Sequence, residues 1–196
     1  VCLLAHPSQK TTNSKPLAFI ENAGQIVDQH YKPRTDIDLK LSNNGAALFV
    51  GSGELHYQWY KSNKPAPTKE KPGDIQSGMQ PDFKRTKDST RELVEIYRMD
   101  VELVGANMQV KPVKEEMQRY SENYYLPQCA NGVTAHTYTR VTYKDIYPGI
   151  DWVLYSKDGR VKYDFLVHAG ADANQIKLRY TGTTNLQIKN GELLAK

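Results

Sequence analysis

The sequence predicts an all-β protein, an antiparallel β-sandwich built from hairpins with one long flexible insertion, and three observations carry that expectation. Apolar and polar residues alternate along several runs, whereas no helical i, i+3, i+4, i+7 pattern persists beyond a turn or two. Three runs are broken by Asn44-Gly45, Asp158-Gly159 and Asn190-Gly191, pairs that reach positive φ readily and suit a two-residue type I′ loop. Tyrosine is abundant, 13 residues against 4 Phe and 2 Trp, and it favours strands where a ring packs while its hydroxyl stays wet.

Taken in order, residues 1–16 read as a flexible polar lead, and residues 17–196 as a single domain. LAFIENAGQIV is the first segment with a core role, with a turn at Asn22-Ala23-Gly24. In IDLKLSNNGAALFV the Asn-Gly loop pairs Leu41 with Leu48 and Leu39 with Val50. LHYQWYKS then adds a third strand after the Gly51-Ser52-Gly53 turn. From about residue 61 to 92 large apolar residues nearly vanish, so this stretch reads as a mobile polar insertion. Its charges, such as Lys69, Glu70, Arg85 and Asp88, mix both signs and suit a solvated loop better than a basic arm.

Alternation resumes in VEIYRMDVELVGAN, where Tyr97, Met99, Val101 and Leu103 share a face. Pro112 interrupts the next run and, having no N–H to donate, marks an edge strand or bulge. A strand follows the Asn131-Gly132 turn, and then the hairpin IDWVLYS-KDGR-VKYDFLV. If Lys157 and Arg160 close its turn, Leu154 faces Tyr163, Trp152 faces Phe165 and Ile150 faces Val167. That face is wholly apolar, so a second sheet is expected to cover it. The last hairpin pairs Ile188 with Leu193 and Lys189 with Glu192. It stops mid-strand, so the polypeptide is expected to continue.

The formal charge of +4 over 196 residues is mild, with no block of five basic residues, which argues against a nucleic-acid partner. No run approaches the roughly 18 apolar residues of a membrane span. VCLLAHPSQ has the apolar character of the end of a signal-peptide core, without the charged start. Cys2 and Cys129 are far apart and read as two free thiols.

Chemistry is thinly marked. On the mixed face of the Asp158-Gly159 hairpin, Asp151 and Asp164 are diagonal neighbours at roughly 7 to 8 Å. With Asp145 upstream they are weak candidates for Ca²⁺, or for the acid and base of a glycosidase, whose carboxyls lie about 5 to 9.5 Å apart. The commoner fate of such a pair is a surface ion pair. Neither catalytic residues nor a metal site nor a cofactor is assigned, since His6, His30, His56, His136 and His168 have no paired spacing and no nucleophile motif occurs. Tyr57, Trp59, Tyr124 and Tyr125 are weak candidates for stacking on sugar rings, against the commoner role of alternating aromatics as core.

Read together, FIENAGQ (Phe19 to Gln25), YRMDVELVGAN, NYYLPQCANGVT, YKDIYPGIDWVLY and KYDFLVHAGADANQIKLRYTG resemble an uncharacterised N-terminal β-rich domain of large secreted Bacteroidetes proteins. The resemblance implies a module preceding SBBP-type β-propeller repeats, immunoglobulin-like or PKD-like domains, and a C-terminal sorting domain of the gliding-motility and type IX secretion class. It implies a secreted or cell-surface location, with downstream domains of the same polypeptide, glycans or cell-surface proteins as partners. It brings no catalytic residues. The functional expectation is a non-catalytic module in adhesion, surface assembly or structural spacing, with a carbohydrate-binding module and a glycoside hydrolase-like enzyme as alternatives.

Overall fold

The computed structural model describes residues 17–43, 45–63 and 93–195. Within them the chain forms β1 (Phe19–Glu21), β2 (Ile37–Asn43), β3 (Ala46–Gly51), β4 (Glu54–Asn63), β5 (Leu93–Leu103), β6 (Val113–Tyr124), β7 (Val133–Tyr147), β8 (Ile150–Lys157), β9 (Arg160–Val167), β10 (Leu178–Thr181), β11 (Leu186–Lys189) and β12 (Glu192–Ala195). Two short 3-10 turns, Pro127–Cys129 and Ala173–Gln175, complete the regular structure of these residues. The fold is all-β and its ladders are antiparallel. Ten strands share one sheet along the path β10-β5-β4-β3-β2-β1-β7-β8-β9, with β6 joined to β7 off that path, and β11 pairs with β12 alone.

Turn chemistry sets the registers. Asp158 and Gly159 take φ of 54° and 68°, and Lys157 pairs with Arg160, Leu154 with Tyr163, Trp152 with Phe165 and Ile150 with Val167, as expected. Leu41 pairs with Leu48 and Leu39 with Val50, and Ile188 pairs with Leu193. β6 begins one residue after Pro112 and pairs only with β7, so it is the expected edge strand, with an irregularity between Met117 and Ser121.

Strand β7 is where the sheet forks. Tyr138 pairs with Phe19 of β1 and with Met117 of β6, so those strands flank it on opposite edges. Arg140, Val141 and Thr142 pair with β6 and with β8, again on opposite edges. Hence β1 and β8 lie one after the other along the same edge of β7, and each carries its own layer away from it. The apolar face of β8-β9 is covered by the other arm of the same sheet rather than by a separate one. Trp152 and Tyr163 line a small void together with Leu55, Val101, Leu103 and Leu178.

Between the arms lie Phe19, Leu39, Val50, Val141, Tyr143, Ile146, Ile150, Trp152 and Leu154, each at most 1 % exposed. Trp152 meets the ring of Tyr143 at 5.3 Å and the edge of Tyr163 at 6.2 Å. Burial pushes the Tyr143 hydroxyl well above its ordinary pKa, reinforced by Asp38, to which it donates at 3.1 Å.

One predicted boundary shifts. β4 continues to Asn63, which pairs with Leu93, so residues 61–63 belong to a strand rather than to the polar insertion. The remainder of the expected insertion, residues 64–92, and the expected lead, residues 1–16, lie outside the described residues. Cys129 is free and buried, while Cys2 also lies outside them.

Candidate functional site

The polar residues of FIENAGQ do structural work. Asn22 Nδ2 donates to the carbonyls of Arg34 and Ile37 at 2.9 and 2.8 Å, and its Oδ1 accepts from the Gly24 N–H. Gln25 bridges the Ala23 N–H and the Glu21 carbonyl. Glu21 accepts from the His136 N–H of β7 and pairs with Lys114 of β6. One short turn thus ties β1, β2, β6 and β7 together where the fork begins. Beside it, Glu21, Asn22, Asp38, Lys111 and Lys114 line an open cleft of about 400 Å³, with Lys111 3.3 Å from Asp38.

The aromatic candidates fall into two separate places. Tyr57 and Trp59 alternate on the core-facing side of β4, rings 5.8 Å apart and within 10° of parallel. Tyr57 is largely covered, and burial followed by the charge of Tyr163 raises its hydroxyl pKa to about 12. Trp59 runs past the end of the core and is 41 % exposed, and its partner across the ladder, Tyr97, is 55 % exposed. Together they form an open aromatic ledge, with the Tyr97 hydroxyl donating to Glu95. The sequence placed Tyr97 on one face of its strand with Met99, Val101 and Leu103, without joining it to Trp59. Their pairing depends on how β5 returns after residues 64–92, a register no local turn motif specifies. Tyr124 and Tyr125 lie at the end of β6, several strands away along the sheet. Tyr124 donates to Glu122 at 2.6 Å, and the exposed Tyr125 ring rests against Gly132.

The carboxylate candidates are held by internal bonds. Asp151, 8 % exposed, accepts from the Asp145 N–H at 2.8 Å through one oxygen and meets His168 Nε2 at 3.1 Å through the other. Asp145 takes φ of 50° and its side chain accepts from the Gly149 N–H, closing the β7-β8 turn. Asp164 is exposed and hydrogen-bonds with Tyr155, raising the tyrosine pKa. Among the described residues no group of three or more His, Cys, Asp or Glu side chains is set to hold a metal ion.

A cluster that spacing did not reveal lies on the opposite face of β4-β5. His56 is 9 % exposed, with Nδ1 2.7 Å from Asp100 and Nε2 3.5 Å from Glu54. Arg98 donates to Asp100 at 2.8 Å, and Arg34 grips Asp36 through Nε and Nη2. Hydrogen bonding to Arg34 holds the Asp36 carboxyl below its ordinary range. For Asp100, desolvation pushes upward, but Arg98 and His56 outweigh it and leave that carboxyl lowered too. Asp28, Arg34, His56, Gln58 and Arg98 border a cavity of about 190 Å³ between this face and the loop after β1. The available signal was the alternation Glu54-x-His56 facing Arg98-x-Asp100, which needs the same long-range register to be read.

These features define an antiparallel all-β module whose sheet forks into two layers and whose conspicuous sequence motifs hold the fork together. The chain belongs to the family described as Domain of unknown function (DUF7948), which matches residues 19–196. No curated protein matches it, and no solved structure does. Among the described residues no helix is long and apolar enough to cross a membrane.

Proposed function

We propose that this protein is a non-catalytic module of a large secreted or cell-surface protein, working in adhesion, surface assembly or structural spacing. The observation that carries this reading is the β11-β12 hairpin. Leu186, Ile188 and Leu193, 43, 80 and 45 % exposed, share one of its faces. A two-stranded hairpin is marginal on its own in water, and an exposed apolar face of this kind suits contact with another protein surface. Downstream domains of the same polypeptide, such as SBBP-type repeats and a type IX sorting domain in a Bacteroidetes surface protein, are the partners this reading favours. The engagement of both Asp151 oxygens in internal contacts supports a non-catalytic role. A photoreactive residue at Ile188 tests it in the intact protein on cells. Adducts with a neighbouring domain or surface protein are expected, and their absence removes the docking role.

A specific observation favours a second reading, a carbohydrate-binding module. The Trp59-Tyr97 ledge offers exposed rings beside the polar Lys61 and Glu95. On glycan arrays and insoluble polysaccharides, saturable binding lost in Trp59→Ala with the fold intact supports it, and no binding to any glycan eliminates it.

A further inference from the structure

We propose that the free edge of β9 pairs with the same edge of a second copy of this chain, antiparallel and two-fold about Tyr163, so that the protein self-associates through a continuous sheet. Among the described residues β6, β9 and β10 are the terminal strands of the large sheet. Terminal strands are normally blunted against pairing with another chain by shortness, a bulge or a proline. β10 has only four residues. β6 follows Pro112 and breaks its register between Met117 and Ser121, with Glu116 at φ of 56°. β9 has none of these devices. It runs for eight residues without proline or glycine and holds one unbroken register against β8 from Arg160 to Val167. Leu166 and Val167 on it are 53 and 40 % exposed.

The hairpin fixes which groups that edge offers. Lys157 and Arg160 flank the two-residue loop and exchange both backbone hydrogen bonds, and every second pair along an antiparallel ladder does the same. Lys162 and Asp164 therefore bond inward to β8, while Val161, Tyr163 and Phe165 turn their N–H and C=O groups outward. Charge then selects the partner and the register. Arg160, Lys162 and Asp164 follow one another on the exposed face of the strand. With Tyr163 opposite Tyr163 of the second copy, Val161 meets the second copy's Phe165 through outward backbone groups. Lys162 then stands opposite the second copy's Asp164, twice over by symmetry. The neighbouring registers that keep the outward groups paired set Lys162 against Lys162 or Asp164 against Asp164, and like charges directly opposite are destabilising. An edge lysine ordinarily repels a second strand, but the acid two residues on makes this edge self-complementary. Tyr155 hydrogen-bonds with Asp164 and leaves the carboxylate further acceptor sites for the lysine. The inference is independent of the docking role of β11-β12, since it uses neither of those strands.

The test is sedimentation equilibrium of the purified protein over a wide concentration range, where a monomer-dimer equilibrium is expected. Lys162→Asp and Asp164→Lys, both on the exposed face, each turn the two attractive pairs repulsive. Each should raise the dissociation constant by about tenfold or more, with far-UV circular dichroism unchanged. An equimolar mixture of the two variants restores opposite charges at both pairs, so a heterodimer should form with an affinity close to that of the wild-type dimer. A wild-type protein that stays monomeric at millimolar concentration overturns the proposal. So does a mixture of the folded variants that fails to associate. A dimer that survives Lys162→Asp undiminished also overturns it, and moves the contact to another surface, such as the exposed face of β11-β12.

Discussion

At the scale of single residues, the turn that follows β1 concentrates the most structural consequence in the fewest atoms. Asn22 satisfies two carbonyls on the far side of a loop, those of Arg34 and Ile37, and one N–H of its own turn. Alanine would remove the side-chain donor from both carbonyls and leave the Arg34 oxygen only the longer bond from the Ile37 N–H at 3.3 Å, so Asn22→Ala should destabilise the fold by about 1 to 3 kcal/mol, read as a lower denaturant midpoint with unchanged slope. Aspartate keeps the acceptor but loses both donors and sets a charge against two carbonyls, so Asn22→Asp should do no better. Glu21 carries a pH dependence. Desolvation raises its pKa, but hydrogen bonds from Lys114 and from the His136 N–H outweigh it, and the folded-state value lies below 4.5. A carboxyl lowered on folding contributes stability that is present above its unfolded pKa and lost as pH falls through the folded one. The gap in melting temperature between the wild type and Glu21→Gln should therefore be widest near neutrality and shrink below about pH 4.5. A gap independent of pH would mean that Glu21 acts through shape alone.

At the scale of elements, the hairpins were legible because a two-residue loop with both residues at positive φ leaves only one register. Trp152 and Trp59 both sit in alternating strands, and the sequence set Trp152 on an apolar face that needs cover while leaving Trp59 between core packing and an exposed platform. Burial separates them: Trp152 is 1 % exposed between the two arms, whereas Trp59 lies on the rim. Trp152→Ala should cost about 3 to 5 kcal/mol, while Trp59→Ala, which gives up a half-buried ring stacked on Tyr57, should cost about 1 to 2 kcal/mol, both read by chemical denaturation. A large effect at Trp59 would place the ledge inside the core. The junction of β10 with β5 is tighter still. Gly182 has φ of 86°, and a Cβ there would lie 2.3 Å from the Arg98 carbonyl oxygen. That contact cannot relax through a flexible side chain, and the backbone conformation itself disfavours alanine by about 1 to 2 kcal/mol. Gly182→Ala should release β10, seen as faster amide exchange at Leu178–Thr181 with β7 and β8 still protected.

At the scale of the whole molecule, what the sequence left open was how one sheet covers itself. The need for cover was plain from the apolar face of Ile150, Trp152 and Leu154, but alternation says which face is buried and not which strand buries it. The fork at β7 depends on β1 and β8 sharing one edge, a contact between segments more than a hundred residues apart in the chain. The His56 cluster was invisible for the same reason, since Glu54-x-His56 gains meaning only when Arg98-x-Asp100 is laid beside it. The β11-β12 hairpin presents the opposite case: local sequence specifies it fully, yet it pairs with no strand of the main sheet. The two-layer core should therefore be indifferent to it. Removing Asn185–Lys196 should change the unfolding free energy of the rest by less than about 0.5 kcal/mol. In the intact chain the amides of Leu186–Ala195 should exchange far faster than those of β7 and β8, as expected of a marginal two-stranded unit. If truncation instead costs several kcal/mol, the apolar face of Leu186, Ile188 and Leu193 is packed within the domain, and it is not free to dock a partner. If truncation is silent, that face is a surface whose burial must come from outside the main sheet.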